Sequence, residues 1–423
     1  MPIRRLPVRP DLIHLDHETE ALLRALHRGE ASAVAELREF HPEPGPFSGT
    51  TLADAQLVLA RSYQAPSWNR LLEAAELVDA IWRDDLDAVR SLVIRNPALL
   101  HEHALIRADS NWGPPLTYAA NLGRDRIIRM LHSLGATDLE SALGRAALQG
   151  KRETVRMLHA MLGSPRPPDD ALGGPAYTLS VEGTAVLFAL GAKVRDEAGR
   201  QRAPVDVVLQ TDSRKPEAKH AILEQYVQHG YELPDTPTMA LHRGRIDLLE
   251  EHLQRDPKLL RRTFTHREIY PAEVGCEAPI DATVGTPLGG TTLLHMCVDY
   301  DELEIARWLL SKGMDVNIRS RVGASGYGGY TPLFNTVVSQ PNFWMNYNHR
   351  GPFTAPFAEL LLEHGADPNV RASIWKRLHP GHGDPARHEY RDVTPLSWGR
   401  RFHAPIFVSG PAMELIEGAG GRE

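Results

Sequence analysis

Apolar residues recur through most of this chain at the three- and four-residue spacing of short amphipathic helices, grouped in pairs around a turn. The clearest pair is Thr291 to Asn317, TTLLHMCVDYDELEIARWLLSKGMDVN. Thr292 is placed to cap a first helix whose apolar side is Leu294, Met296, Cys297 and Val298. The run Asp299-Tyr300-Asp301-Glu302 then breaks the pattern and reads as a solvated turn. Leu303, Ile305, Ala306, Leu309 and Leu310 predict a second helix, and Gly313 supplies its left-handed stop. Neither helix is long enough to persist alone in water, so the pair must be buried between neighbours.

Those neighbours are visible as further copies. Gly113 to Thr137 has the same layout, and in both stretches a leucine and a glycine lie 19 positions apart, Leu116 to Gly135 and Leu294 to Gly313. Tyr330 to Val338 is completed by Phe357 to Asn369, one unit split by an insertion, and Val393 to Arg400 opens a last copy that closes with PAMELIEGAGG. A period near 33 residues with TPL-type starts, small residues in the first helix, a leucine run in the second and a G-A-D-x-N turn resembles the ankyrin repeat. The residues that carry the resemblance are Thr331-Pro332-Leu333, Leu294-His295, Ala119-Ala120, Leu360-Leu361-Leu362 and Gly365-Ala366-Asp367-Pro368-Asn369. It implies an all-α ankyrin-repeat solenoid of about eight or nine units, with a structural place for His295 in the turn. Cys297 falls on an apolar position and reads as packing.

Ahead of the repeats, His17 to Phe40 is helical by pattern, and HPEPGPFSG ends it. The stretch LADAQLVLARSYQAPSWNRLLEAAELVDAIW resembles a leader that precedes many bacterial ankyrin proteins. We expect residues 1–75 to form an N-terminal arm and helical cap, 76–262 ankyrin repeats, several degenerate, and 263–423 repeats carrying long insertions. The insertions are Arg261 to Gly290, Ser320 to Gly329, Ser339 to Pro356 and Ser373 to Asp392. Three of them join one unit's second helix to the next unit's first helix. In the ankyrin architecture that is the finger side, which with the first helices makes a concave binding face. Loops this long inside an array need a reason to stay ordered.

Their composition suggests recognition. His, Tyr, Trp, Asn, Gly and Arg dominate, types that give rigid aromatic contacts and adaptable hydrogen bonds. The candidate contact residues are Tyr327, Tyr330, Trp344, Asn346 and Tyr347, with His349, Arg350, Trp398 and Arg400. The second reading is an enzyme or small-molecule binder whose pocket is built from the insertions at 261–290, 339–356 and 373–392. Its acid/base candidates are Glu268, Tyr270, Glu273 and His388, with Cys276 as a conceivable nucleophile. His379, His382 and His388 are the one set that could ligate a divalent metal, although H-x2-H-x5-H matches no established ligand spacing and no cofactor is expected.

Charge and cysteine content narrow the partner class. A formal net charge of −7 gives no broad basic field, which argues against sequence-independent nucleic-acid binding. Two cysteines, Cys276 and Cys297, cannot form a disulfide framework and suit a reducing compartment. No run of about 18 apolar residues occurs, so the chain reads as cytoplasmic, with a protein or peptide as the expected partner.

Overall fold

In the computed structural model, residues 4–107, 109–211, 213–276, 285–338, 354–378 and 383–423 are described. They fall into two compact units, residues 1–174 with 185–192 and residues 175–184 with 193–423. The fold is all-α and pairwise, as the periodicity predicts.

The first unit begins with the helices Leu12–His27, Ala31–Phe40 and Leu52–Ser62. Asp11 caps the first by accepting from the Ile13 N–H, and Thr51 and Asp54 form a reciprocal capping box on the third. The next helix, Trp68–Trp82, runs through residue 75, so the cap and the first repeat-like pair share one continuous element. Its partner is Leu86–Arg95, followed by the pairs Pro115–Leu122 with Asp125–Ser133 and Leu139–Leu148 with Arg152–Leu162. The helices Gly173–Thr178 and Val181–Ala189 straddle the division between the units.

The second unit contains five pairs among its described residues. These are Val205–Gln210 with Pro216–Gln228, Pro237–His242 with Ile246–Arg255, Leu293–Tyr300 with Leu303–Ser311, Pro332–Val337 with Pro356–Glu363, and Pro395–Arg401 with Gly410–Gly418. Every residue of Leu293–Tyr300 is buried, as an element flanked by neighbours requires. His295 has the structural place expected of it. Its Nδ1 accepts from the Thr292 hydroxyl at 2.9 Å and its Nε2–H donates to the Tyr330 carbonyl at 3.1 Å, tying one turn to the next.

The acidic run after this helix departs from its expected role as a solvated turn. Asp299 is fully buried, and Asp301 and Glu302 are nearly so. The cause lies in Arg214, just ahead of Pro216–Gln228, and Lys219 in its first turn. Arg214 donates from Nε to the Asp299 carbonyl at 2.9 Å and from Nη2 to its carboxylate at 3.1 Å. Lys219 Nζ lies 2.8 Å from Glu302 Oε1, and His220 Nε2 reaches the same oxygen at 2.8 Å. Both cations also lie over the Tyr300 ring, at 4.6 and 4.4 Å from its centroid. Burial pushes the Glu302 carboxyl up, but Lys219 and His220 outweigh it and the net direction is down. A buried pair of this kind specifies a fit more than it adds stability, and removing one partner is costly.

Buried imidazoles couple this unit to pH. Burial lowers His295 to about 4 and lowers His242 well below its ordinary value. Both are neutral in the folded chain, while the unfolded chain takes up their protons near pH 6.5. Their contribution is therefore intact above about pH 6.5 and is lost as pH falls toward the folded value. We predict that urea denaturation finds the second unit less stable at pH 5 than at pH 7.5, with His295 alone accounting for up to about 3 kcal/mol by pH 4. His295→Gln should flatten that slope; an unchanged slope would contradict the assignment.

Candidate functional site

The site is built on backbone pairing between stretches far apart in sequence. Phe264 pairs with Thr291 as an antiparallel bridge, the Gly290 N–H donates to Phe264 O at 2.7 Å, and the Arg321 N–H donates to Gly290 O at 2.7 Å. Within the next finger, the Ser320 N–H donates to Tyr330 O at 2.8 Å. The Gly328 N–H then donates to Ser373 O at 2.7 Å, and the Ser373 N–H returns to Gly328 O at 3.3 Å. The first, second and fourth insertions are thus stitched into one ribbon. Loops tied in this way are ordered by hydrogen bonds that would otherwise go to water.

The described part of the last insertion forms a β-hairpin's two strands, an element absent from the all-helical expectation. Strand β1, Ala372–Lys376, pairs antiparallel with strand β2, His388–Val393, with Trp375 opposite Glu389 and Ile374 opposite Tyr390. Alternation sends Tyr390 inward, where its ring meets Trp398 edge-on at 4.7 Å, and sends Arg387, Glu389 and Arg391 outward with Trp375.

Tyr327 from the second finger enters this outward group. Arg391 lies 4.5 Å and Arg387 5.3 Å from the Tyr327 centroid, and Arg387 also lies 4.8 Å from that of Trp375. Arg391 donates to the Tyr327 hydroxyl. Glu389 sits between the two guanidiniums, its oxygens 3.0 Å from Arg387 Nη2 and 3.4 Å from Arg391 Nη2. A hydrogen bond with Tyr327 is the main reason its carboxyl lies below the usual range, and the two arginines reinforce it. Beside the stack is a cleft of about 220 Å³, walled by His266 and Gly289 from the first insertion, Arg321 and Tyr327 from the second, and Ile374 and Trp375 from the hairpin.

Only some of the expected contact residues meet at this cleft. Tyr327 and Tyr330 line it, and Tyr330 donates to Pro287 O at 2.7 Å. Trp398 is a core residue, fully buried, whose indole N–H donates to Thr286 Oγ1 at 3.1 Å. Arg400 is exposed and pairs with Glu417 and Glu423. Trp344, Asn346, Tyr347, His349 and Arg350 lie outside the described residues, as do His379 and His382.

The acid/base candidates are not brought together. Glu268 closes a capping box with Thr265 and pairs with Arg262 at 2.7 Å. Tyr270 is buried against Tyr300, and burial raises its hydroxyl well above the ordinary value. Glu273 is exposed on a single turn, Ala272–Val274. His388 bonds Asp384 at 3.0 Å and stacks on His403 with centroids 3.8 Å apart. Burial pushes the Cys276 thiol up to about 12, which keeps it protonated and unreactive at neutral pH. Among the described residues no three His, Cys, Asp or Glu side chains are grouped to hold a metal, and no helix is long and apolar enough to cross a membrane.

Trp375, Arg387, Arg391 and Arg321 were not singled out from sequence. The signal was present as the period-two spacing of Arg387, Glu389 and Arg391.

The ankyrin-repeat family model matches residues 289–321, the span containing the buried helix and the His295 turn. That segment is similar to an ankyrin repeat. The helix pairs on either side of it agree with an all-α ankyrin-repeat solenoid. Among solved structures the human ASB11 ankyrin repeat domain is similar at 14% identity, covering 73% of this chain and 99% of that domain, with a TM-score of 0.28. No curated protein matches the chain.

Gly328 is the tightest point of the ribbon. It has φ +124°, and a Cβ there would lie 2.1 Å from the Arg321 carbonyl oxygen. We predict that Gly328→Ala costs about 2 kcal/mol locally, opening the finger so that trypsin cuts at Arg319 and Arg321 roughly thirtyfold faster. Unchanged cleavage would show that the finger is not held as described.

Proposed function

We propose that this chain is a recognition scaffold that binds a protein partner on the finger side of its second unit. Ankyrin repeats generally mediate protein–protein contact, so the family resemblance of residues 289–321 makes this the natural class of function. The observation that carries the location is convergence. Three insertions that need not meet share one hydrogen-bonded ribbon, and they present Trp375, Tyr327, Arg387, Arg391 and Arg321 beside a single cleft. Trp375 remains 36% exposed. Trp, Tyr and Arg are the residue types that dominate interface energetics, and here they are ordered before any partner arrives, which lowers the entropic cost of binding.

The catalytic alternative has less support. None of Glu268, Tyr270, Glu273 and His388 is among the described residues that line the cleft.

Replacing Trp375 by p-benzoylphenylalanine in the full chain and irradiating it in lysate of the source organism tests the location. A discrete protein adduct is expected at position 375 and none at Ile94, a 62% exposed residue of the first unit. Equal labelling at both positions, or no adduct at 375, would contradict the proposal.

A further inference from the structure

We infer that the occupant of this cleft is an acidic segment of the partner protein, and that Glu389 holds the place of one of its carboxylates. The inference rests on the recognition reading above and adds the chemistry of the partner. Its first support is charge. Residues 319–330 and 371–393 carry seven arginines and lysines against three acids, on a chain whose formal net charge is −7. A local positive excess on an acidic molecule is the arrangement that steers an acidic partner to one face and keeps it off the others.

The second support is how these cations are partnered. Arg321 reaches Thr263 Oγ1 at 3.2 Å and has no carboxylate partner among the described residues. Arg319 donates to the carbonyls of Gly329 and Arg371, at 3.1 and 3.2 Å, and has no carboxylate partner among the described residues. The Arg321 guanidinium on the cleft wall and that of Arg319 in the same finger are therefore held in place but not neutralised by a carboxylate among the described residues. Arg387 and Arg391 are likewise fixed, by Tyr327 and Trp375, and share the single carboxylate of Glu389. Glu389 is exposed, with its side chain 44% accessible, so an incoming carboxylate can reach the fork it occupies. A fork of two oriented guanidiniums suits a carboxylate better than a single ammonium would, because it offers paired N–H donors at fixed spacing.

The same geometry disfavours a single-stranded nucleic acid. Such ligands need open aromatic faces on which bases stack. Here Arg387 and Arg391 lie over Tyr327, and Arg387 lies over Trp375. These guanidiniums compete for the ring faces a base would use.

The proposal has a distinctive signature, because a residue facing the ligand should weaken binding by its presence. The test uses fluorescence anisotropy on the full chain with three labelled probes: a short peptide alternating glutamate with leucine, its lysine-for-glutamate counterpart, and an oligothymidylate. The glutamate peptide is expected to bind, with affinity that falls as salt rises. Glu389→Gln should tighten it by about 3- to 10-fold, and Arg387→Met with Arg391→Met should weaken it by at least about 10-fold. Arg387→Lys with Arg391→Lys, which keeps the charge, should fall between, and thermal denaturation checks that each variant is folded. No effect of Glu389→Gln, weaker binding by that variant, or stronger binding of the lysine peptide or the oligothymidylate would overturn the inference. A protein adduct at position 375 combined with an indifferent Glu389→Gln would remove the charge assignment and leave the recognition reading standing. Tight peptide binding with no adduct at 375 would do the reverse.

Discussion

The backbone hydrogen bonds that join Phe264 to Thr291, Gly290 to Arg321 and Gly328 to Ser373 are the constraint on which the site depends. Each ties a segment that is long, polar and glycine-rich to another of the same kind. Without them the insertions would be separate loops, and ordering them would fall to the partner at the moment of binding. With them, side chains from three distant parts of the sequence hold fixed positions around one cleft. Glycine is required where the strands approach most closely: the Gly328 Cα faces the Arg321 carbonyl with no room for a methyl group.

The ribbon is anchored to a scaffold that is itself unusually specific. His295 links the turn at Thr292 to the carbonyl of Tyr330, which lines the cleft, so the repeat and the finger share a hydrogen bond. On the far end of the same helix, Asp299 and Glu302 are locked by Arg214 and Lys219. One of the helices between those partners in sequence, Pro237–His242, is only six residues long, and its last residue packs edge-on against Tyr300 at 4.7 Å. Buried charge of this sort admits few alternative packings, since any slip leaves an ion unpaired. We read it as fixing the register of the repeats that present the fingers.

Much of the scaffold was legible in the sequence. The apolar spacing of Leu303, Ile305, Ala306, Leu309 and Leu310 is local information, and the structure forms the helix Leu303–Ser311 there. The position of three insertions on one side followed from where they interrupt the repeat. Burial of the Asp299–Glu302 run was not legible, because its partners lie some 80 residues away, a separation no local pattern encodes. Composition drew attention to the aromatic and histidine-rich loops, yet composition does not distinguish a core residue from a contact residue. Trp398 shows this: a tryptophan at that position looks like an anchor and is fully buried beneath the hairpin residue Tyr390. The Arg387-Glu389-Arg391 alternation was readable as a strand face, but only once the segment was recognised as a strand.

The central claim is that the fingers form one ordered ribbon in the free protein, so the most direct measurement is amide hydrogen exchange without any partner. The N–H groups of Arg321, Gly328 and Ser373 each donate across a finger boundary. They should exchange slowly, with protection approaching that of the buried helix Leu293–Tyr300. Exchange at the rate of an unstructured chain, while that helix stays protected, would mean that the fingers are independent loops and that the site does not exist before binding.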